Sequence, residues 1–307
     1  MKQVRRIATL ACASLTLLAA SPPAPGGHGE SLTGEPPVSG DAGARPPLRD
    51  LLGASGKLRA LIVTPDSLNG SAMQALLVGV PLEEPGIHPL ALTAPDGDPL
   101  VVVSLKPLGP NAEVRIGKYN VGRWPTRGLP ERNPAYVPPA GFIPVTQANQ
   151  TTRVSKHFLL RDFLTHDQQQ VWPKVLVLRV PLVDKLELIG EELGRRGLPR
   201  RLHIMSGFRT PQYNAQGVGA KGGRAGASRH MYGDAADVFV DANGDGVMDD
   251  LDGDGKVTIE DARVLLAVAE GVEARHPDLV GGLSAYPANS AHGPFVHVDA
   301  RGVRARW

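Results

Sequence analysis

Ser228-Arg229-His230-Met231-Tyr232-Gly233-Asp234-Ala235-Ala236-Asp237 and, much later, Phe295-Val296-His297-Val298-Asp299 decide how this chain folds. Each stretch carries or adjoins a run that reads as a β-strand. Side chains two apart on a strand share a face. Phe295, His297 and Asp299 therefore point one way, and Val296 and Val298 the other. Ala235, Asp237 and Phe239 likewise share a face. If the two strands pair, His297 and Asp237 converge, and His230 arrives from the loop ahead of its strand. Two imidazoles and one carboxylate form a three-ligand set for zinc. Structural zinc sites are usually closed by four protein ligands, often thiolates, whereas catalytic sites keep a position for water. No cysteine lies near these segments, so the predicted centre is a catalytic one. The competing reading is a buried polar cluster whose members hydrogen-bond to one another. Burying such a set without a cation is costly, which favours zinc.

Working outward, the second half of the chain reads as mixed α and β. Phe158 to Phe163 opens a short helix. Pro181 marks a helix start, and Leu182, Val183, Leu186, Ile189 and Leu193 trace one apolar face before Gly197 stops it. Arg201 to Met205 reads as a strand. A Gly/Ala-rich loop over 215–227 leads into the first ligand segment, and Ile259 to Ala274 forms another amphipathic helix.

Ser228-x-His230-x-x-Gly233-x-Ala235-x-Asp237, the later Val-His-Val-Asp strand holding His297, and Ser206-Gly207-Phe208-Arg209-Thr210-Pro211 carry a resemblance. Together they resemble the zinc D-alanyl-D-alanine carboxypeptidases and murein endopeptidases with the Hedgehog/DD-peptidase fold, over residues 151–307. The resemblance implies an α+β catalytic domain with helices on a small antiparallel sheet. It implies zinc held by His230, Asp237 and His297. It implies Arg209 on the substrate's carbonyl or carboxylate, with Ser228 also on the substrate side. Asp299 shares the face of His297 and is expected to orient an imidazole through its ring N–H. The implied reaction is hydrolysis of a peptide bond in a peptidoglycan stem or crosslink, with either bond open.

One feature departs from that family. Relatives carry an acidic residue three positions before the last zinc histidine, or a histidine two before it. Here those positions are Pro294 and Phe295. His292, in a Gly/Ser/Ala loop, is then the expected proton carrier, because an unperturbed imidazole titrates near about 6.5. Without a base, the same residues would make a non-catalytic wall-binding module stabilised by zinc and calcium, which is the rival reading.

An acidic insert, 241–261, follows the Asp237 strand. Calcium loops place oxygen ligands at alternating positions, glycine at position six and a carboxylate at twelve. Counted from Asp241, the ligands are Asn243, Asp245, the Val247 carbonyl, Asp249 and Asp252, with Gly246 at six. Counted from Asp250, they are Asp252, Asp254, the Lys256 carbonyl, Thr258 and Asp261, with Gly255 at six. The stretch resembles the calcium loops of dockerin and thrombospondin-type repeats. That implies a structural Ca2+ that stiffens the insert and the start of the next helix. The alternative is a solvated acidic loop.

The remainder sets the context. Residues 48–150 alternate short apolar runs with turns: Leu58–Thr64 and Leu100–Leu105 read as strands, Pro95–Asp98 as a turn. This is a small β-rich domain with no chemical constellation. Residues 22–47 are rich in Pro, Gly, Ser and Ala and read as a flexible linker. Lys2, Arg5 and Arg6 precede an apolar run, Ile7 to Ala20, with small residues at Ala19, Ala20 and Ser21. This is the pattern of an export signal over 1–21, with an uncleaved anchor as the alternative. Periplasmic or cell-wall placement is expected, without stable membrane insertion. Cys12 is the one cysteine, so no disulfide is expected. A net charge of +2 argues against a nucleic-acid partner, and 42% hydrophobic residues over 307 positions suffice for about two cored domains.

Overall fold

The computed structural model describes residues 48–63, 71–108, 114–125, 129–219 and 223–307. The predicted signal (1–21) and linker (22–47) lie outside the described residues. The fold is mixed α+β, built from small sheets and few helices.

The first part contains α1 (Leu48–Leu51), β1 (Ala60–Val63), α2 (Ser71–Leu76), β2 (Gly86–Thr93) and β3 (Pro99–Ser104). These strands form a three-stranded sheet in the order β1-β3-β2, with β1 parallel and β2 antiparallel to β3. Next come β4 (Lys106–Pro107), β5 (Val114–Ile116), β6 (Tyr119–Gly122), α3 (Leu129–Arg132), β7 (Gly141–Val145) and β8 (Lys174–Leu176). Strands β4, β7 and β8 make a second small sheet, and β5 and β6 a ribbon.

The second part supplies α4 (Val180–Arg195), β9 (Leu202–Ser206), α5 (Pro211–Gln216), β10 (Ala235–Val240), α6 (Ile259–Arg275), β11 (Gly282–Tyr286), β12 (Phe295–Asp299) and β13 (Ala305–Arg306). Its sheet runs β13-β11-β12-β10-β9. All its pairings are antiparallel except β11 with β13.

Helix α4 shows why sequence pattern and burial agree only in part. Proline sits in its first turn, Gly197 takes a φ of 75° just past its end, and the predicted apolar face is buried. Each fully buried Leu or Ile contributes roughly 1.5–3 kcal/mol. Asp184, Lys185 and Glu187 are buried too. They serve as clamps. Asp184 accepts the Ala54 and Ser55 N–H groups at 2.7 and 2.9 Å. Lys185 donates to Glu273 Oε1 and the Asp299 carbonyl, both at 2.6 Å. Glu187 holds Ser155 and His157. The helix is thus pinned to the first part on one side and to α6 and the main sheet on the other.

The main hydrophobic core runs without a break across residue 150. It joins Ala60, Val103, Ile143 and Val145 to Val154, Phe158, α4 and the sheet. A smaller core of Leu52, Val63, Leu76, Leu90, Leu100 and Val102 lies within the first part alone.

Candidate metal centre

Strands β10 and β12 pair so that Asp237 stands directly opposite His297. Residues opposite each other in an antiparallel pair share a face, so the two side chains meet. His230 comes from the single turn of 3-10 helix, Arg229–Tyr232, just ahead of β10. That turn is held by buried contacts. Arg229 Nε donates to Asp234 Oδ1 at 3.0 Å, its Nη2 reaches Asp234 Oδ2, and Trp124 Nε1 donates to the Met231 carbonyl at 2.6 Å. Gly233 then turns the chain into β10 with a φ of 71°, and a Cβ there would fall 2.4 Å from the Val177 carbonyl oxygen. Only glycine fits that corner.

The result is a small triangle of ligand-type atoms. His297 Nδ1 lies 3.0 Å from Asp237 Oδ1, His230 Nε2 lies 3.2 Å from the same oxygen, and the two nitrogens are 3.3 Å apart. Ligand atoms at about 2.0–2.1 Å from a tetrahedral zinc stand about 3.3 Å from one another. The donor set and its spacing therefore fit zinc.

The far side of each ring is tied down. His230 Nδ1 lies 2.7 Å from the Gly207 carbonyl, which can only accept, so the proton sits on Nδ1 and Nε2 carries its lone pair into the triangle. His297 Nε2 lies 3.1 Å from Asp299 Oδ2, which directs Nδ1 inward by the same logic. Asp299 is itself fixed by Arg301 Nε at 2.9 Å and the Gly282 N–H at 2.7 Å. The glycine doublet makes this possible: a Cβ on Gly281 would sit 2.0 Å from the Asp299 carbonyl oxygen, and one on Gly282 2.4 Å from Asp299 Oδ2.

The electrostatics follow from burial and neighbours. Burial pushes the His230 imidazole down to about 4, so it is neutral at physiological pH. Burial also lowers His297, but its hydrogen bonds to Asp237 and Asp299 outweigh this and leave it raised. Burial works to raise Asp237, yet the two imidazoles hold it well below the carboxylate range. Asp299 is likewise held far below, by His297 and Arg301 acting against burial.

Arg209 stands at the edge of the triangle. Its Nη2 donates to Asp237 Oδ2 at 2.5 Å and its Nε to Ser206 Oγ at 3.0 Å. Asp237 thus offers one oxygen to the triangle and the other to a guanidinium. Ser228 is buried at the start of the 3-10 turn, where its carbonyl accepts the Met231 N–H at 3.2 Å. His292 keeps to its own loop: Nε2 is 2.8 Å from Asn289 Nδ2, and Nδ1 is 2.8 Å from the Gly293 carbonyl. Neither nitrogen reaches the triangle. Its ring does meet Phe295 edge-on, with centroids 4.8 Å apart.

Sequence reasoning missed an aromatic rim. The Trp307 ring lies 5.3 Å from His297, its Nε1 donates to Tyr286 Oη at 2.5 Å, and Tyr286 stacks on Phe295 at 4.8 Å. The rings come from separate segments, and a lone aromatic carries no motif. Arg301 was missed for the same reason. The Gly281-Gly282 doublet was the one available signal of a close approach.

In the acidic insert two loops repeat one geometry. Asp241 Oδ1 accepts the Gly244 N–H at 2.6 Å and Oδ2 the Gly246 N–H at 3.2 Å; Asp250 does the same for Gly253 and Gly255, at 2.7 Å each. Asn243 and Asp252 accept the Asp245 and Asp254 N–H groups, both at 3.0 Å, and Asp245 and Asp254 accept from Val247 and Lys256, both at 2.8 Å. Gly244, Gly246, Gly253 and Gly255 all take positive φ. Carboxylate oxygens of Asp250, Asp252 and Asp254 converge within 4.8 Å. Asp261 stands apart from that trio. It is buried and accepts the Leu251, Asp252 and Thr258 N–H groups, closing a capping box at the start of α6. Asp249 Oδ2 accepts the Ala242 N–H at 2.9 Å, which closes the first loop on itself.

Among the described residues no helix is long and apolar enough to cross a membrane. Comparison with protein-family models, with curated proteins and with solved structures finds no match.

Proposed function

We propose that this chain is an exported zinc peptidase that hydrolyses peptide bonds in peptidoglycan stem peptides or crosslinks, on a Hedgehog/DD-peptidase-like fold. One observation carries the reading: three ligand atoms of His230, Asp237 and His297 form a triangle of zinc dimensions, and each imidazole has its outer nitrogen tied to a fixed acceptor. Among the described residues three protein ligands gather there, and three without a fourth are the pattern of a catalytic rather than a structural zinc.

When bound, zinc supplies Lewis acidity, lowering the pKa of a water and polarising a carbonyl. The chain's own residues do the rest. Gly207 and Asp299 hold the two rings in the tautomers that present a lone pair. Arg209, on Asp237 Oδ2, sets a positive charge beside the triangle, where it takes a substrate carbonyl or carboxylate and stabilises developing negative charge. His292, against Phe295 on the His297 face, is the proposed proton carrier once its loop lets go of Nε2. The repeated acidic loops support a structural calcium between Asp250, Asp252 and Asp254.

A second reading, a wall-binding module without turnover, draws support from Pro294 and Phe295 in the family's base positions and from His292's closure on its own loop. One experiment separates the two. Purified protein is incubated with muropeptides, with and without a zinc chelator, and products are followed by mass. Chelator-sensitive cleavage that His230→Ala abolishes supports the peptidase. Binding with no product at high protein loading supports the module.

A further inference from the structure

Trp307 stands beside the triangle, and it is 58% exposed. It is nevertheless held from several directions. Its Nε1 donates to Tyr286 Oη at 2.5 Å, and its carbonyl accepts from Ser284 Oγ at 2.5 Å. The Arg301 guanidinium lies over its ring, 5.6 Å from the centroid. The ring also rests on bare backbone: a Cβ on Gly282 would fall 2.9 Å from Trp307 Cη2. One residue earlier, Arg306 pins the chain by donating to Glu270 Oε1 and to the Gly281 carbonyl, both at 2.9 Å. A ring ordered in this way but left in water has lost side-chain entropy without gaining burial. A ligand that covers it gains apolar contact and does not have to order it.

The place of Trp307 in the sheet says what that ligand is. Along β11-β12-β10-β9, Trp307 lies against Ser284 on β11 and His297 on β12, while Arg209 lies against Asp237 on β10 and Ser206 on β9. The triangle falls between the two. Three strand spacings, about 14 Å, separate β9 from β11. An extended peptide covers that span in about four residues. The two ends differ in chemistry. Arg209 offers a guanidinium. Trp307 offers only the face of its ring, because its one side-chain N–H is spent on Tyr286. Tyr286 stacks on Phe295 at 4.8 Å and extends the apolar surface. Consecutive Cα atoms are about 3.8 Å apart, so a ring centred 5.3 Å from the His297 ring meets a residue close to the bond held at the triangle.

We infer that Trp307 is a specificity-determining residue: it is the wall that receives an aliphatic side chain of a peptide laid across the sheet from Arg209, within a residue or two of the bond at the triangle. The inference rests on the peptide substrate of the reading above, though not on turnover.

The test uses the zinc-loaded full chain with the stem tetrapeptide and with its counterpart carrying glycine for each alanine. The chain has three tryptophans, of which Trp124 is buried. The alanyl peptide should shift the indole emission to the blue in the parent and in Trp172→Phe, and should leave it unmoved in Trp307→Phe. The parent should prefer the alanyl peptide about fourfold, the factor that one buried methyl supplies. Trp307→Ala should bind that peptide about tenfold more weakly and lose the preference. In turnover the same variant should raise KM and leave kcat about unchanged. An emission that no peptide moves, a preference that survives in Trp307→Ala, or a shift given only by a disaccharide-bearing fragment overturns the assignment. Shift and preference without any product overturn the peptidase reading and leave Trp307 in its role.

Discussion

His297 and Asp299 sit two residues apart on one strand face, and the Asp299 carboxylate meets His297 Nε2 at 3.1 Å. Arg301 and the Gly282 N–H clamp that carboxylate from behind. The ring is therefore oriented by a group that never enters the triangle. Removing the negative charge while keeping the shape should loosen the site without unfolding it. Asp299→Asn is expected to weaken zinc affinity about tenfold, read by competition with a chromogenic chelator. Unchanged affinity would mean that His297 needs no such partner.

Glu187 gives a pH prediction remote from the His230–Asp237–His297 triangle. Its side chain is 1% exposed. Burial alone would raise its pKa, but hydrogen bonds from His157 and Ser155 outweigh this and hold it below the usual value. A depressed folded pKa stabilises the fold above the unfolded pKa of about 4.3 and loses that contribution as pH falls through the folded value. Glu187→Gln should cost about 1 kcal/mol at neutral pH, or roughly 2–4 °C in Tm. Melts across pH should show the two proteins converging below about pH 4. Parallel curves down to strong acid would show that the carboxylate's charge does not matter.

The strand pairing at the triangle was legible because period-two alternation leaves little freedom: with Val296 and Val298 buried on one face, His297 must take the other. The same reasoning could not see the irregular register between β9 and β10 at Asp237 and Val238, since a bulge has no sequence mark there. In α4 the apolar stripe was readable, whereas the burial of Asp184, Lys185 and Glu187 was not. A helical period reports one face and says nothing of what covers the others. Asp261 shows a subtler limit. Thr258-x-x-Asp261 is both a capping box and the end of a calcium frame, and in the folded chain the Asp261 oxygens go to backbone N–H groups.

Calcium should act through Asp250, Asp252 and Asp254. Their carboxylates converge, and although the Asp254 N–H that Asp252 accepts lowers its pKa, desolvation and the repulsion of the neighbouring carboxylates leave it above its usual value. Free calcium at a hundredfold excess over its Kd should stabilise the protein by about 2.7 kcal/mol. Asp254→Ala should erase the melting shift while magnesium leaves both proteins unmoved. A shift that survives in the variant would place the ion elsewhere.

Lys185 links the scaffold to the strand that carries His297. It is fully buried, bonded to Glu273 on α6 and to the Asp299 carbonyl at the end of β12. Lys185→Met keeps the volume but strips Glu273 of a buried partner, leaving it Arg306 and the Gly281 N–H. Breaking such a pair should cost about 3 kcal/mol in urea unfolding. A loss under about 1 kcal/mol would mean that Arg306 suffices.

The proton carrier is the sharpest point of division between peptidase and binding module. His292 lies on the rim of the His297 face, one aromatic ring away, with Nε2 accepting from Asn289. If it moves a proton during turnover, His292→Ala should lower kcat by about 10²–10⁴-fold with zinc content and Tm unchanged. Asn289→Ala should then act in the opposite sense on the ring, freeing Nε2 and changing the pH profile of kcat. A merely structural histidine would move Tm with the loop and leave that profile alone. Full activity in His292→Ala, with chelator-sensitive cleavage intact, would transfer the role to another group and remove His292 from the reaction.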